Sequence, residues 1–311
     1  MSATSSLSIH QKSPQRSRRR MTERIAFTLI TLACASVIVP IFALFYLISN
    51  GAKRISWGFL NEFPNAVDMT GGIYPAIVGT ILLMLVTIAI ALPLGIISAI
   101  YLVEYGGKSR WVSLIRQAIV NLAGVPSIVH GLFGLGFFVY FVGGAIDRLV
   151  LHAAKPVWGQ PCLLWGAATL AVVVLPVIIT ATEEALLAVP QSFRDGSNAL
   201  GSSKWNTIRR VVLPAALPGI LTGAILAIGR AAGETAPVML TCAASFSPTI
   251  SYGLNNQQML LPYHLYFVVT QAPNAPIDLK AGIALVLIAL VGMMSLVGIV
   301  IRTRVRRARK W

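Results

Sequence analysis

Six long apolar runs decide what this chain can be. They fall at about 25–48, 73–103, 119–142, 163–183, 215–244 and 280–301, and each is near the ~20 residues needed to cross about 30 Å of hydrocarbon. A lipid interior offers no water to backbone N–H and C=O groups, so such segments close their hydrogen bonds internally, as helices. The expected fold class is an all-α integral membrane protein with six transmembrane helices. Composition agrees: mean hydropathy is +0.76 and 11% of residues are charged, against about 25% in a soluble domain. The length of 311 residues alone would suggest about two soluble domains, and hydropathy overrides that. Pro93, Pro126 and Pro176 fall inside the runs; membrane helices tolerate this where neighbours re-satisfy the freed backbone groups.

The formal charge of +15 does not describe a nucleic-acid groove, because the basic residues sit at the ends and in short loops between spans. They cluster in four places: Lys12, Arg16, Arg18, Arg19, Arg20 and Arg24; Lys108, Arg110 and Arg116; Arg194, Lys204, Arg209 and Arg210; and Arg302, Arg304, Arg306, Arg307, Arg309 and Lys310. The alternate loops hold Lys53, Arg54, Arg148 and Lys155, and 245–278 holds none. The positive-inside rule then places both termini and the loops 104–118 and 184–214 in the cytoplasm. The first run is too long for a signal-peptide core. It is expected to be an uncleaved span behind a disordered basic tail, 1–24, with the permease domain at 25–301 and a second basic tail at 302–311.

Two of the basic loops carry structure of their own. In 108–118, Trp111, Leu114, Ile115 and Ala118 recur at helical spacing with Arg110, Ser113 and Arg116 between them, the pattern of an amphipathic helix at the interface. The loop 184–214 reads as helix, break at Gly201, helix. The sequence has no GxxxxGK[ST] phosphate loop, no HExxH and no GxSxG, so it offers no nucleotide, zinc or acyl-transfer site by those routes. Cys34, Cys162 and Cys242 are far apart with no CxxC, which indicates neither a disulfide framework nor a metal site. His130 and His264 stand alone and are expected to be packing residues.

Within the second loop, Asp195-Gly196-Ser197 is followed by three residues, Gly201, nine residues, Val211, one residue and Leu213-Pro214. This resembles the EAA motif of bacterial ABC importer permeases, E-A-A-x3-G-x9-I-x-L-P. The resemblance implies a coupling helix that docks on an ATPase subunit. The sequence departs at the first triplet, where Gly196 weakens a helix by about 1 kcal/mol relative to Ala. An ordinary basic interfacial loop is the plainer alternative.

In the fifth run, Gly229-Arg230-Ala231-Ala232-Gly233-Glu234-Thr235-Ala236-Pro237 places an arginine and a glutamate inside the membrane, where charged side chains are costly. The i, i+4 spacing puts Arg230 and Glu234 on one helix face, where they can pair. Arg suits an oxyanion because its planar fork offers parallel charge-assisted hydrogen bonds. A purely structural ion pair is the alternative.

This string, the segment Asn121–Gly134 around Pro126 and Ser127, and Leu261-Pro262-Tyr263-His264-Leu265-Tyr266 resemble the phosphate importer permeases, in the PstA-like rather than the PstC-like branch, over roughly 70–300. The resemblance implies the type I ABC importer permease fold and phosphate translocation by alternating access. Arg230 and Glu234 would serve substrate, and Pro126 and Ser127 would shape a gate. It implies a PstC-like permease partner, a PstB-like ATPase dimer and a PstS-like phosphate-binding protein. It also implies no cofactor on this chain, since ATP and Mg would be used by the ATPase. Another oxyanion such as sulfate or molybdate, or a secondary transporter or channel, remains open.

Overall fold

The computed structural model describes residues 14–65, 71–107, 109–246, 250 and 252–308, with side chains from Met21 to Arg307. The segment 1–13, Lys108, Arg309 and Lys310 lie outside the described residues. Among the described residues, six helical segments are long and apolar enough to cross a bilayer: Met21–Arg54, Tyr74–Tyr105, Ser127–Val150, Leu163–Leu187, Lys204–Gly233 and Ile277–Arg307. In element order they comprise α1 (Pro14–Gly51), α3 (Tyr74–Ile100), α5 (Ser127–Phe133, prolonged by wide turns), α6 (Leu163–Leu187), α9 (Leu213–Gly233) and α12 (Ile277–Ala308). Shorter helices lie between them, α2 (Trp57–Asn61), α4 (Arg110–Ala123), α7 (Gln191–Ala199), α10 (Ala236–Thr241) and α11 (Leu261–Thr270), while α8 (Lys204–Thr207) opens the fifth span.

Helix α6 is the most buried of the six spans and organises the rest. Small residues let its neighbours approach closely, the usual packing device where lipid removes the hydrophobic drive between helices. Gly95 of α3 lies against Ile178, Gly223 of α9 against Ala181, and Gly219 against Ala185. Ala91, Ala171, Val174, Ile178, Ala227 and Ala231 fill the seam between the three helices. At the other extreme α1 is exposed along its apolar stretch; it leans on α12 near its C-terminal end, where Gly51 closes on the Ala281 backbone. An outward face of Phe27, Leu29, Ile38, Phe42 and Phe45 suits lipid and would be a liability in water.

The structure corrects the sequence reading in four places. The first helix begins at Pro14 and the last runs to Ala308, so helix extends into both segments expected to be tails. The amphipathic helix α4 runs past 118 to Ala123, and the third span starts at Ser127 rather than 119. Pro126 explains this: it lacks an N–H, and it drives the preceding residue away from helical backbone. The fifth run is not one helix over 215–244, because α9 stops at Gly233 and α10 restarts at Ala236.

The fourth correction is in 245–278, which had no expected structure. There a two-residue parallel ladder joins Ala243–Ala244 to Gln258–Met259. It is followed by α11, which has Leu261, Pro262, His264 and Val268 buried. Thr80 of α3 accepts a hydrogen bond from the Leu261 N–H at 2.9 Å, and Gly79 leaves no room for a side chain against the Met259 carbonyl. Carbonyls of Thr241, Asn256 and Leu254 accept the N–H groups of Cys162, Leu163 and Leu164, satisfying donors that the first turn of α6 leaves open. At ten residues, α11 is too short to span.

Candidate functional site: the basic-face loop and the broken fifth span

The loop after α6 is built by two prolines and one glycine. Pro190 ends the Ala188–Pro190 connection and sets the start of α7, its carbonyl accepting from the Phe193 N–H at 3.2 Å. Gly201 has φ +78°, a left-handed conformation that costs a side-chain-bearing residue about 1–2 kcal/mol. Ser203 then caps α8 through the Asn206 N–H at 3.4 Å. The helix continues through a wide π turn, Ile208–Val212, into α9, with Pro214 near its start. A π turn beside a proline is physically consistent, because the proline cannot donate to the regular i−4 ladder. Pro214 therefore sits inside a continuous helix from Lys204 to Gly233, not at a break.

The two helices of this loop are tied together. Ser197 Oγ lies 2.9 Å from Thr207 Oγ1, which also reaches Asn198 Oδ1 at 3.3 Å. Asp195 and Gly196 lie on the exposed surface of α7, and Gln191 Nε2 donates to Asp195 Oδ1 at 3.1 Å. Val211 and Leu213 are half-buried, and Leu213 packs on the cluster of Leu186, Val189, Ile208 and Val212 that anchors the loop. Phe193, Leu200 and Trp205 stay exposed, Leu200 at 89%. The loop thus presents a rigid, partly apolar platform.

Charged residues that the motif did not single out tie the platform and α4 to the spans. Arg194 pairs with Glu104 at 2.9 Å, and the side chains are only 13% and 10% exposed. Arg116 of α4 pairs with Glu183 of α6 at 2.6 Å. The available signal was positional: Glu104 and Glu183 are acids at the ends of apolar runs, beside basic loops. Between α7, α8 and the end of α3 lies an open cleft of about 510 Å³, lined by Glu104, Gln191, Arg194, Asn198 and Lys204 among others.

The second candidate region is the discontinuity of the fifth span. Arg230 is in the last turn of α9, where the free carbonyls favour a cation, and Glu234 caps that helix in extended conformation, φ −78° and ψ 119°. The two are brought together as expected, with Arg230 Nε 3.7 Å from Glu234 Oε1. The reason differs from the expected one: Glu234 is off the helix, in the two-residue break, and not on a shared helical face. At 3.7 Å the contact is an ion pair and not a hydrogen bond, and Arg230 remains 35% exposed.

The third span starts nearby. Pro126 precedes α5, its carbonyl accepting from Val129 at 3.0 Å, and Ser127 begins that helix. Gly131 of α5 meets Ala236 and Pro237 of α10 so closely that a Cβ would come within 3.0 Å of Pro237 Cα. The restart of the fifth span is thus packed against the start of the third. His130 and His264 are buried as expected, although His130 Nε2 and His264 Nδ1 find no hydrogen-bond partner among the described residues. Asp147, which the sequence did not flag, is buried and accepts the N–H groups of Val157, Trp158 and Gly159 at 2.7–3.0 Å, folding the 151–162 loop over the end of the third span.

Six lipid-suited helices, α6 the most buried of them, with a two-helix platform on one face, define a multi-pass membrane protein. The chain belongs to the binding-protein-dependent transport system inner membrane component family, which its residues 91–310 match. It is a multi-pass inner-membrane permease subunit of an ABC importer. It is 32% identical over 287 residues to the probable ABC transporter permease protein YqgI of Bacillus subtilis, covering 87% of this chain and 92% of that one. It is 33% identical over 303 residues to the phosphate transport system permease protein PstA 1 of Mycobacterium tuberculosis H37Rv, covering 94% and 91%. In fold it resembles a chain in the crystal structure of a bacterial alginate ABC transporter, with TM-score 0.62 at 13% identity over 92% of this chain and 96% of that one.

Proposed function

We propose that the chain is the PstA-like permease subunit of an ATP-driven phosphate importer. The observation that carries the reading is the Arg230–Glu234 pair at the break between α9 and α10, an incompletely closed ion pair with a guanidinium still partly accessible. A planar fork of N–H donors suits a tetrahedral oxyanion, and a loose pair releases it again, as conduction requires. Relatives named as phosphate transport permeases match most of the chain, which favours phosphate over sulfate or molybdate.

In this reading Asp195, Gly196, Ser197, Gly201, Val211, Leu213 and Pro214 form the coupling surface for a PstB-like ATPase dimer, which uses ATP and Mg. A PstC-like permease completes the pathway, a PstS-like protein delivers phosphate from outside, and Pro126 and Ser127 contribute to the gate. This chain itself carries no cofactor. Uptake of labelled inorganic phosphate by the reconstituted complex tests the substrate: excess sulfate or molybdate is expected to leave it unchanged. Equal competition by either would show a broader oxyanion permease, and vanadate-insensitive uptake would show a carrier independent of ATP.

Orientation follows from the same reading, with both termini and 184–214 cytoplasmic. Ser202 follows Gly201 in the basic-face loop, whereas Tyr252, 70% exposed, belongs to the segment that caps the far end of α6. The 25 residues of α6 separate these ends by about 37 Å at 1.5 Å per residue. With the three native cysteines replaced, Tyr252→Cys is expected to react with an impermeant thiol reagent in intact cells, and Ser202→Cys only after permeabilisation. The reverse pattern would invert the topology.

A further inference from the structure

One guanidinium joins three elements at the base of the platform. Arg194, on α7, donates from Nε and Nη2 to Glu104 Oε1 at 3.1 and 2.9 Å. Nη1 donates to the Val189 carbonyl at 2.7 Å, and Nη2 to the Leu186 carbonyl at 2.9 Å. Those two carbonyls are at the C-terminal end of α6 and just beyond it, where a helix leaves acceptors unfilled. Glu104 is in the π turn Tyr101–Tyr105 that ends α3, and such turns mark places where a helix can change register. A second tie reaches the adjacent residue, since the Lys204 ammonium of α8 sits 4.8 Å from the centre of the Tyr105 ring. Both halves of the loop therefore grip one turn.

Asp195, the charged residue of the recognised motif, points away from this arrangement and is exposed, whereas Arg194 beside it is turned inward. Neighbouring residues thus divide the work between an outer surface and an inner joint. Because α8 is continuous with α9, a push on the loop reaches the fifth span along one helix. It reaches α6 through the three-residue Ala188–Pro190 connection and α3 only through side-chain contacts, and Arg194 supplies hydrogen bonds to both.

We propose that Arg194 is a positioning residue for transport: it locks α7 to the ends of α3 and α6 through Glu104, Leu186 and Val189, so that these two spans move with the platform. The proposal rests on the reading of 191–214 as the ATPase-coupling loop. A lysine keeps the charge at 194 but cannot place donors on three separated acceptors at once. Without the lock, ATP hydrolysis drives α9 while α3 lags and α6 is held by its backbone connection alone.

The test uses the full complex in vesicles, with this chain carrying Arg194→Lys, Glu104→Ala or Glu104→Gln. Inorganic phosphate uptake and ATP hydrolysis are measured on equal amounts of assembled complex. Arg194→Lys and Glu104→Ala are expected to lower phosphate moved per ATP by about fivefold or more, the low end of ordinary coupling effects. Glu104→Gln, which keeps an acceptor oxygen in place, is expected to retain most of it. Uptake and hydrolysis falling in proportion, or an unchanged ratio, would overturn the proposal, leaving the pair as a structural tie.

A second measurement needs no transported substrate. Spin labels at Ser192→Cys on α7 and Ile97→Cys on the exposed face of α3 report their separation before and after trapping with ATP and vanadate. It is expected to stay constant with Arg194 present and to shift or broaden in Arg194→Lys. A separation that behaves the same in both proteins would overturn the lock even where phosphate uptake is found. A constant distance in a complex that moves no phosphate would instead overturn the substrate reading and keep the lock.

Discussion

Exchanging Arg230 and Glu234 is expected to restore assembly of the complex without restoring phosphate uptake. Arg230→Lys alone is expected to lower uptake at least about tenfold, the ~1.4 kcal/mol scale of one charge-assisted hydrogen bond to substrate. Glu234→Gln is expected to lower it as well, by removing the counter-ion that holds the guanidinium between cycles. Breaking a fully buried pair costs about 3–5 kcal/mol. This pair is 35% and 20% exposed, so loss of folding accounts for less than that, and the amount of assembled complex measures it directly. The exchange is not symmetric, because it puts an acid in the last turn of α9, where the helix end disfavours a negative charge by about 0.3–1 kcal/mol. Full recovery of transport by the exchanged protein would make the pair a structural tie across the α9–α10 break.

Gly201→Trp is expected to abolish substrate-stimulated ATP hydrolysis while Gly201→Ala only weakens it. The residue has φ +78°, and a Cβ there would meet nothing within 4 Å in this chain. Any side chain therefore meets backbone strain of about 1–2 kcal/mol, and Ala measures that strain alone. Tryptophan adds bulk on a surface that this chain leaves open, next to the exposed Leu200 and Trp205, and so obstructs only a docked partner. The measurement is ATPase stimulation in reconstituted vesicles at equal complex content. Equal losses for Ala and Trp would show that Gly201 serves the turn and that no partner seats there.

Much of the molecule follows from the order of residues alone. A run of about 20 apolar residues has one solution in lipid, since its backbone must satisfy itself, so the number of spans and the class of protein are legible in the hydropathy pattern. The broken loop is legible for a related reason, because Pro190, Gly201 and Ser203 each impose a local backbone outcome whatever surrounds them.

What hydropathy could not resolve was where an apolar segment stops being a helix. The fifth run stays apolar through 244, yet it breaks at Glu234–Thr235 because α10 turns to pack on Gly131 of α5, a contact between residues far apart in the chain. Helix α11 was invisible for the same reason: ten mostly apolar residues are too few to announce a span, and Thr80 and Gly79 of α3 create their site. The Arg194–Glu104 pair joins residues 90 apart; either one read alone is a loop charge beside a membrane. Local backbone chemistry and solvent class were fixed by sequence. The meeting of distant side chains, and with it the geometry of the candidate site, was decided by tertiary packing, because close approach depends on which small residues face each other once the spans are assembled.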